Sequence, residues 1–315
     1  MSTNVFKSTE GNQAEYFVFL KLIRQTVVRD RQRYKPKSRP SSRQRLWRLI
    51  DPNLQRPIFL VGAPRSGTTF LGECLAVLPE ISYHFEPIAT KAASRFVYGG
   101  HWTMEKARGF YRSVYSWLLR QHLDADLRFA EKTPRNCFLI LFLSDAFPDA
   151  QFIHIIRDGR DAALSYSKKP WLQAATSGSG RMEPGGHKVG AFTRFWVEPE
   201  RVHEFETTSD IHRCIWAWRR FAASAIEAAA QLPPDRYHEL RYESLACNPE
   251  DEAKQLLNFI GITDANSRDL FHQAVSKVNS NSIGQWRQAL SDEQLQQIEQ
   301  EAGQLLRQLN YCESD

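Results

Sequence analysis

Apolar residues along this chain gather into short β-branched runs separated by stretches of helical spacing. Ile58-Phe59-Leu60-Val61 is apolar throughout and runs into Gly62, the pattern of a strand buried on both faces. Thr68–Leu78 then has helical spacing, stopped by Pro79. Ile81–Phe85 reads as a second strand, Met104–His122 as a helix and Phe129–Glu131 as a short strand entering Lys132-Thr133-Pro134. A helix over Asn136–Ala146 precedes another core strand, Gln151–Ile156, followed by a turn and a further helix. Ile211–Leu232 predicts a long helix closed by Pro233-Pro234, Tyr237–Tyr242 a strand, and Pro249–Ile260 a helix capped by Asn248. The last helix opens on Ser291-Asp292-Glu293-Gln294, a capping-box pattern, with an apolar stripe through Leu295, Ile298, Ala302, Leu305 and Leu309. Strands alternating with helices predict an α/β three-layer sandwich around a central, largely parallel sheet. The pattern breaks down between Trp171 and Thr208, where Pro184 and five glycines fall. Such a long loop is usually functional or mobile.

Residues 1–50 differ from this core. An amphipathic helical piece near Tyr16–Val28 leads into a basic linker interrupted by Pro36, Pro40 and Ser41-Ser42. Between Lys21 and Ile50 stand eleven Lys or Arg against one acid, Asp30, so the segment carries +10 within a chain whose net charge is +5. This basic stretch (21–48) suits an acidic membrane surface, a nucleic acid or an anionic substrate; the plainer alternative is a solvated lead-in. The division expected is a 1–50 appendage and a 51–315 catalytic domain in which 171–208 is an insertion or acceptor-gating loop. No apolar run approaches the ~18 residues of a membrane span. The polar start, Met1–Tyr16, lacks signal-peptide character. Five scattered cysteines, none spaced as CxxC, fit free thiols in a reducing, cytoplasmic setting and set structural zinc aside.

The chemistry begins at Gly62-Ala63-Pro64-Arg65-Ser66-Gly67-Thr68-Thr69, between the first strand and its helix. Unpaired N–H groups and the helix dipole favour an anion there, Ser66, Thr68 and Thr69 add hydroxyl donors, and Gly67 lets the chain bend round a phosphate. The spacing of Gly62 and Gly67 matches the nucleotide triphosphatase loop, yet Thr68 occupies the lysine position and the cation has moved to Arg65. A γ-phosphate kinase would lack its main contact. Arg157 ends the Gln151–Ile156 strand, where open α/β sheets bind ligands, and Ser165 follows eight residues later; together they would grip a second phosphate. The alternative is a helix-cap cluster in which Asp158 caps and the arginines are solvated.

Pro64-Arg65-Ser66-Gly67-Thr68-Thr69 resembles the 5′-phosphosulfate loop of sulfotransferases that use 3′-phosphoadenylyl sulfate (PAPS). The arginine is similar to the tyrosylprotein and bacterial carbohydrate-type branches, where cytosolic aryl enzymes have lysine. The resemblance implies Arg157 and Ser165 as the 3′-phosphate pair, and Lys169 falls where the tyrosylprotein branch has an arginine. Tyr237–Glu243 resembles the strand with an adenine-contacting tyrosine, here Tyr242, although an ordinary core strand reads equally well. Asn279–Trp286 resembles a loop that closes over the nucleotide, without assigning residues. The likeness runs from about Pro57 to Tyr311, leaving 1–50 and 171–208 unmatched.

Sulfuryl transfer needs a base for the acceptor proton and a cation for the leaving oxygen. Cytosolic members carry Lys-Thr-His where this chain has Lys132-Thr133-Pro134, and proline accepts no proton. The resemblance to the tyrosylprotein branch implies Glu86, 21 residues beyond Arg65, as the base, with Lys132 as the cation and Ser165 assisting. Pro87 predicts an extended backbone at Glu86. Alternation places His84 on the same strand face, so it remains a rival. The expected activity is sulfuryl transfer from PAPS to a hydroxyl or amine of a carbohydrate, glycolipid or small molecule, releasing PAP without a metal. Aromatic Trp171, Phe192, Phe195 and Trp196 would grip the acceptor, or else form satellite core. The competing readings are a P-loop small-molecule kinase and a non-catalytic nucleotide-binding protein. No nucleic-acid partner is expected, and oligomeric state is unreadable.

Overall fold

The structure is a computed structural model that describes residues 9–34, 37, 47, 49–121 and 127–311, with side chains described from residue 19 onward. Five strands, β1 (Ile58–Val61), β2 (Ile81–Phe85), β3 (Arg128–Lys132), β4 (Gln151–Ile156) and β5 (Tyr237–Arg241), form one sheet in the order β2-β3-β1-β4-β5. Every pairing is parallel. All five carboxyl ends therefore lie along one edge, the edge at which such sheets bind ligands.

Alternation along the buried strands builds two cores. Ile58 and Leu60 pack with Leu71, Ile153 and Ile155 on one face; Phe59 and Val61 pack with Tyr115, Phe147 and Phe152 on the other. Helices cover both faces, giving the expected three-layer α/β sandwich. The capping box forms at Ser291 and Gln294. Asn248 does precede the helix Pro249–Ile260, but its side chain makes no capping bond; Pro249 removes one orphan N–H and presets the first turn instead.

Several boundaries differ from expectation. The Met104 helix ends at Arg120, and His122 lies outside the described residues. Asn136–Ala146 is split into a 3₁₀ turn, Pro134–Phe138, and a short α-helix, Ile140–Ala146. Two helices that apolar spacing did not signal, Ile88–Tyr98 and Ala265–Val275, are present. Their buried faces include small or polar residues, Ala89, Thr90, Ala92, Ala93 and Ser94 in the first and Ser267 in the second, which do not stand out as an apolar run in the sequence.

The N-terminal helix runs Thr9–Arg33 and is docked on the core. Phe19 sits edge-on to Phe96, Trp102 and Phe110. Thr26 Oγ1 accepts from Ala89 N at 2.9 Å, satisfying an orphan donor at the start of Ile88–Tyr98. Lys37 Nζ donates to the carbonyls of Leu78 and Ile81. The basic residues Lys35, Arg39, Arg43, Arg45 and Arg48, and Cys312, lie outside the described residues. Among the described residues no helix is long and apolar enough to cross a membrane.

Segment 171–208 is folded rather than structureless. It holds a 3₁₀ turn, Ala174–Ser179, an isolated bridge between Met182 and Lys188, and a short helix, Val202–Thr207. Buried Arg194 organises it by donating to the carbonyls of Phe192 (2.6 Å), Trp171 (2.9 Å) and Lys188 (2.9 Å). One guanidinium with five donors can satisfy several loop carbonyls that would otherwise be buried without partners.

Candidate active site

The loop after β1 bends as its glycines require. Gly62 has φ 153°, and a Cβ there would lie 2.4 Å from Ile155 O. Gly67 has φ 96°, and a Cβ there would meet the Tyr242 ring at 2.6 Å. Arg65 itself adopts φ 73°, a conformation that costs a non-glycine residue and persists where function holds it. Helix Thr68–Ala76 starts with no side-chain cap, so its first N–H groups face the loop. Ser66 is buried and its Oγ has no hydrogen-bond partner among the described residues. Thr68 is buried beside it, and Thr69 is exposed.

Arg157 follows β4 and is almost fully buried. It donates to Arg65 O at 3.3 Å and to Ser282 O, and its guanidinium sits 4.7 Å from the centroid of the Tyr242 ring. Its Nε is buried with no hydrogen-bond partner among the described residues. Asp158 caps the next helix through Arg160 N at 2.9 Å and pairs with the Arg160 side chain. The cap cluster is thus built from Asp158 and Arg160, while the Arg157 guanidinium turns to Arg65 O and Ser282 O and lies 3.9 Å from Asp161. Ser165 Oγ accepts from Arg65 Nε at 3.0 Å, so it meets the loop arginine and ties the loop after β1 to the helix after β4. Burial, and then the neighbouring Arg157 charge, lower the Arg65 guanidinium from its ordinary value.

Tyr242 lies one residue past β5, at the head of the helix Tyr242–Cys247. Its hydroxyl donates to Asn279 O at 2.8 Å. Asp161 accepts from Gly284 N at 2.6 Å and Trp286 N at 3.0 Å. These contacts clamp Asn279–Trp286 over Arg157 and Tyr242. Lys169 is exposed, two residues beyond the helix Gly159–Ser167.

Glu86 follows β2, and Lys132 ends the adjacent strand β3. The Glu86 carboxylate lies between two ammoniums: Lys132 Nζ is 2.7 Å from Oε1 and Lys91 Nζ is 2.7 Å from Oε2. Burial alone would raise this carboxyl, but Lys91 and Lys132 outweigh it and hold Glu86 far below the usual carboxylate range. Burial in turn pulls the Lys132 ammonium down, and its Nζ sits 3.8 Å from the centroid of the Phe85 ring. Glu86 does not take the extended backbone that Pro87 suggests. Its φ is 42°, because its N–H bonds to Lys132 O at 2.9 Å and the chain turns at once into Ile88–Tyr98.

His84 is not beside Glu86 in the cleft. It is fully buried, with Nδ1 3.0 Å from Asp30 and Nε2 2.8 Å from Ser82 Oγ. Both ring nitrogens are engaged: Nδ1 ties the N-terminal helix to β2 through Asp30, and Nε2 bonds Ser82 within β2. Beneath Lys132, Glu131 is buried and accepts from Tyr115 OH at 2.7 Å and from Asn136 Nδ2. Burial pushes its carboxyl up to about 7, against the pull of those hydrogen bonds.

A cavity of 430 Å³ opens between the phosphate loop and the 171–208 segment. Trp171 and Trp196 line it, whereas Phe192 and Phe195 do not. Phe195 instead packs on Phe138 and Tyr98, so of the four aromatics only the tryptophans line the cavity. Seven basic side chains line the cavity against two acids, Glu86 and Glu183. Among the described residues one grouping has metal-ligand proximity, Glu204, His212 and Glu301. It is threaded by Arg201 and Arg219, which pair with Glu301 at 2.7 Å each, so its negative charge is already neutralised.

A family model described as "Sulfotransferase family" matches residues 57–266, two thirds of the chain. The chain belongs to the sulfotransferase family. The sulfotransferase is 22% identical over 232 residues to a protein-tyrosine sulfotransferase of Drosophila melanogaster, an alignment covering 68% of this chain and 40% of the relative. It is 26% identical over 252 residues to an uncharacterised protein of Aquifex aeolicus, covering 75% of this chain and 29% of that one. The chain thus spans less than half the length of these relatives. Among solved structures, sulfotransferase STF9 from Mycobacterium avium superposes with a TM-score of 0.53 at 13% identity, over 84% of this chain and 79% of that one. That likeness bears on the fold.

Of the residues singled out in the sequence, Arg65, Thr68, Thr69, Glu86 and Lys132 line the cavity; Ser165 and Arg157 adjoin it through Arg65, and Tyr242 through Arg157. Sequence reasoning missed Lys91, Arg29, Arg33, Arg135 and Glu183, all of which line the cavity. Lys91 was hidden because its helix was not read. The only trace of Arg29 and Arg33 was the basic excess of the N-terminal segment.

Proposed function

We propose that this chain transfers the sulfuryl group of PAPS to a hydroxyl or amine of a carbohydrate, glycolipid or small-molecule acceptor. The observation that carries the reading is the pairing of Glu86 and Lys132 at 2.7 Å on adjacent strand ends, in the same cavity as Arg65. The donor's two anionic ends suit the buried, unpartnered Ser66 Oγ in the loop and Arg157 Nε across the cleft. Buried donors left without partners are costly, and a phosphate would relieve both. Tyr242, held by Asn279–Trp286, would flank the adenine, and Lys169 would reach the nucleotide from the cleft rim.

In the reaction, the acceptor oxygen or nitrogen forms a bond to sulfur as the bond from sulfur to the 5′-phosphate oxygen breaks. The acceptor proton passes to Glu86, and PAP departs with its new charge balanced by Lys132, with Arg65 and Ser165 alongside. Lys132 cannot serve the leaving oxygen and remain fully engaged with Glu86. Its turn toward the donor would leave Glu86 with Lys91 alone and raise the carboxylate's basicity at the moment the proton must move. A kinase reading is weaker, because Thr68 stands where that chemistry needs lysine. Three buried cysteine thiols, Cys74, Cys137 and Cys214, support a reducing, cytoplasmic setting.

The test is incubation with isotopically labelled PAPS and a broad acceptor panel, read as a mass gain of one sulfate, with and without EDTA. Transfer insensitive to EDTA is expected. Failure to bind PAP by calorimetry, or transfer that stops on chelation, would overturn the reading.

A further inference from the structure

The basic excess of the N-terminal segment has a local destination. Arg29 and Arg33 reach the cavity from the docked helix Thr9–Arg33 and gather at Phe85, with guanidinium carbons 5.8 and 3.8 Å from its ring centroid. The other cations of the acceptor side are already matched. Lys132 pairs with Glu86, and Arg33 with Glu73 at 2.7 Å. Arg135 pairs with Glu183 at 2.8 Å, with Lys91 and Arg194 each 3.8 Å from the same carboxylate. Arg29 differs. Its Nη1 is buried and finds no hydrogen-bond partner among the described residues. Asp30, next in sequence, is engaged by His84. A buried guanidinium donor without an acceptor is costly and invites an anion.

We propose that Arg29 is an acceptor-specificity residue: it binds an oxyanion on the acceptor, a carboxylate or phosphate, while the acceptor's nucleophile faces Glu86. The inference rests on the sulfuryl-transfer reading and narrows it to acceptors that are already negatively charged. Arg33 is held by Glu73 and Phe85 and lends its charge to the same corner. The cavity's excess of positive charge, seven cations to two acids, favours such a ligand throughout and repels a cationic one.

The experiment uses the full chain and two matched acceptor pairs: 4-hydroxyphenylacetate against its methyl ester, and glucose 6-phosphate against glucose. Calorimetry with PAP-loaded protein gives binding, and labelled PAPS gives kcat/KM. In at least one pair the anionic member is expected to lead by about tenfold or more, the scale of one charge-assisted hydrogen bond. Arg29→Gln should shrink that lead at least about fivefold, and Arg29→Lys should restore part of it. The pair that responds identifies the oxyanion. Equal binding or turnover within both pairs, or a lead unchanged by Arg29→Gln, overturns the proposal. Loss of PAP binding by the wild-type chain instead overturns the donor reading beneath it, so the two failures are distinguishable.

Discussion

Replacing Glu86 by Gln should separate its two roles, neutralising buried lysines and accepting a proton. Lys132 is about 1% exposed and Lys91 about 11%, and each Nζ is 2.7 Å from a different Glu86 oxygen. Glutamine keeps one acceptor oxygen but turns its NH₂ toward the other ammonium, leaving Lys132 without its counter-charge and Lys91 with only the more distant Glu183, 3.8 Å away. Breaking a buried pair costs about 3–5 kcal/mol, and the surviving hydrogen bond places the expected loss near 3 kcal/mol. In a chain of this size that lowers Tm by roughly 4–5 °C. Turnover should fall by about 10²-fold, since the other acid lining the cavity, Glu183, is engaged by Arg135 at 2.8 Å. Adding Lys91→Met removes one of the two charges, so the double variant should recover about half of the lost stability and none of the rate. The assays are thermal melts, with PAP as a ligand control, and labelled-PAPS turnover on the same preparations. Full-rate E86Q would remove the base assignment. Restoration of rate in the double variant would reduce Glu86 to a charge neutraliser, and an unchanged Tm would refute the clamped carboxylate.

Three further outcomes follow from the structure. Arg157→Ala should weaken PAP binding by calorimetry at least about tenfold more than AMP binding, because its unpartnered Nε would serve the 3′-phosphate; equal losses would misplace that phosphate. His84→Phe should lower Tm by several degrees through the abandoned Asp30 and Ser82, while folded enzyme keeps its kcat; a rate collapse without destabilisation would return His84 to the mechanism. Glu131 titrates near 7 when folded and at its ordinary 4.5 when unfolded, so the native state binds the extra proton between those values. Stability should therefore fall as pH rises through that window, by roughly 3 kcal/mol in all, and level off above it. In Glu131→Gln this decline should disappear from denaturant titrations at pH 5 and 8; an equal decline in the variant would assign it elsewhere.

Much of the donor site was legible because its signals are local. A glycine pair with Arg65 between strand and helix, and an arginine ending β4, each declare themselves within eight residues. The acceptor end was less legible because its parts converge from distant elements. Asp30 meets His84 across 54 positions, which turned a candidate base into a structural tether. Lys91 sits on Ile88–Tyr98, whose buried face is made of Ala89, Thr90, Ala92, Ala93 and Ser94 rather than of large apolar residues. The backbone of Glu86 followed its bond to Lys132 O rather than the preference set by Pro87. In 171–208, glycines announced a loop, and nothing local announced that Arg194 would fold it around one guanidinium.

The docked Thr9–Arg33 helix bears on how the protein should be handled. Boundaries drawn to the matched span, 57–266, would amputate Arg29 and Arg33 from one wall of the cavity and Asn279–Trp286 from the lid over Arg157. They would also strip Phe19 from its aromatic nest and leave His84 facing solvent. A trimmed fragment would keep every residue of the phosphate loop and still be a mutilated catalyst, so expression work should begin upstream of Thr9 and extend through Tyr311.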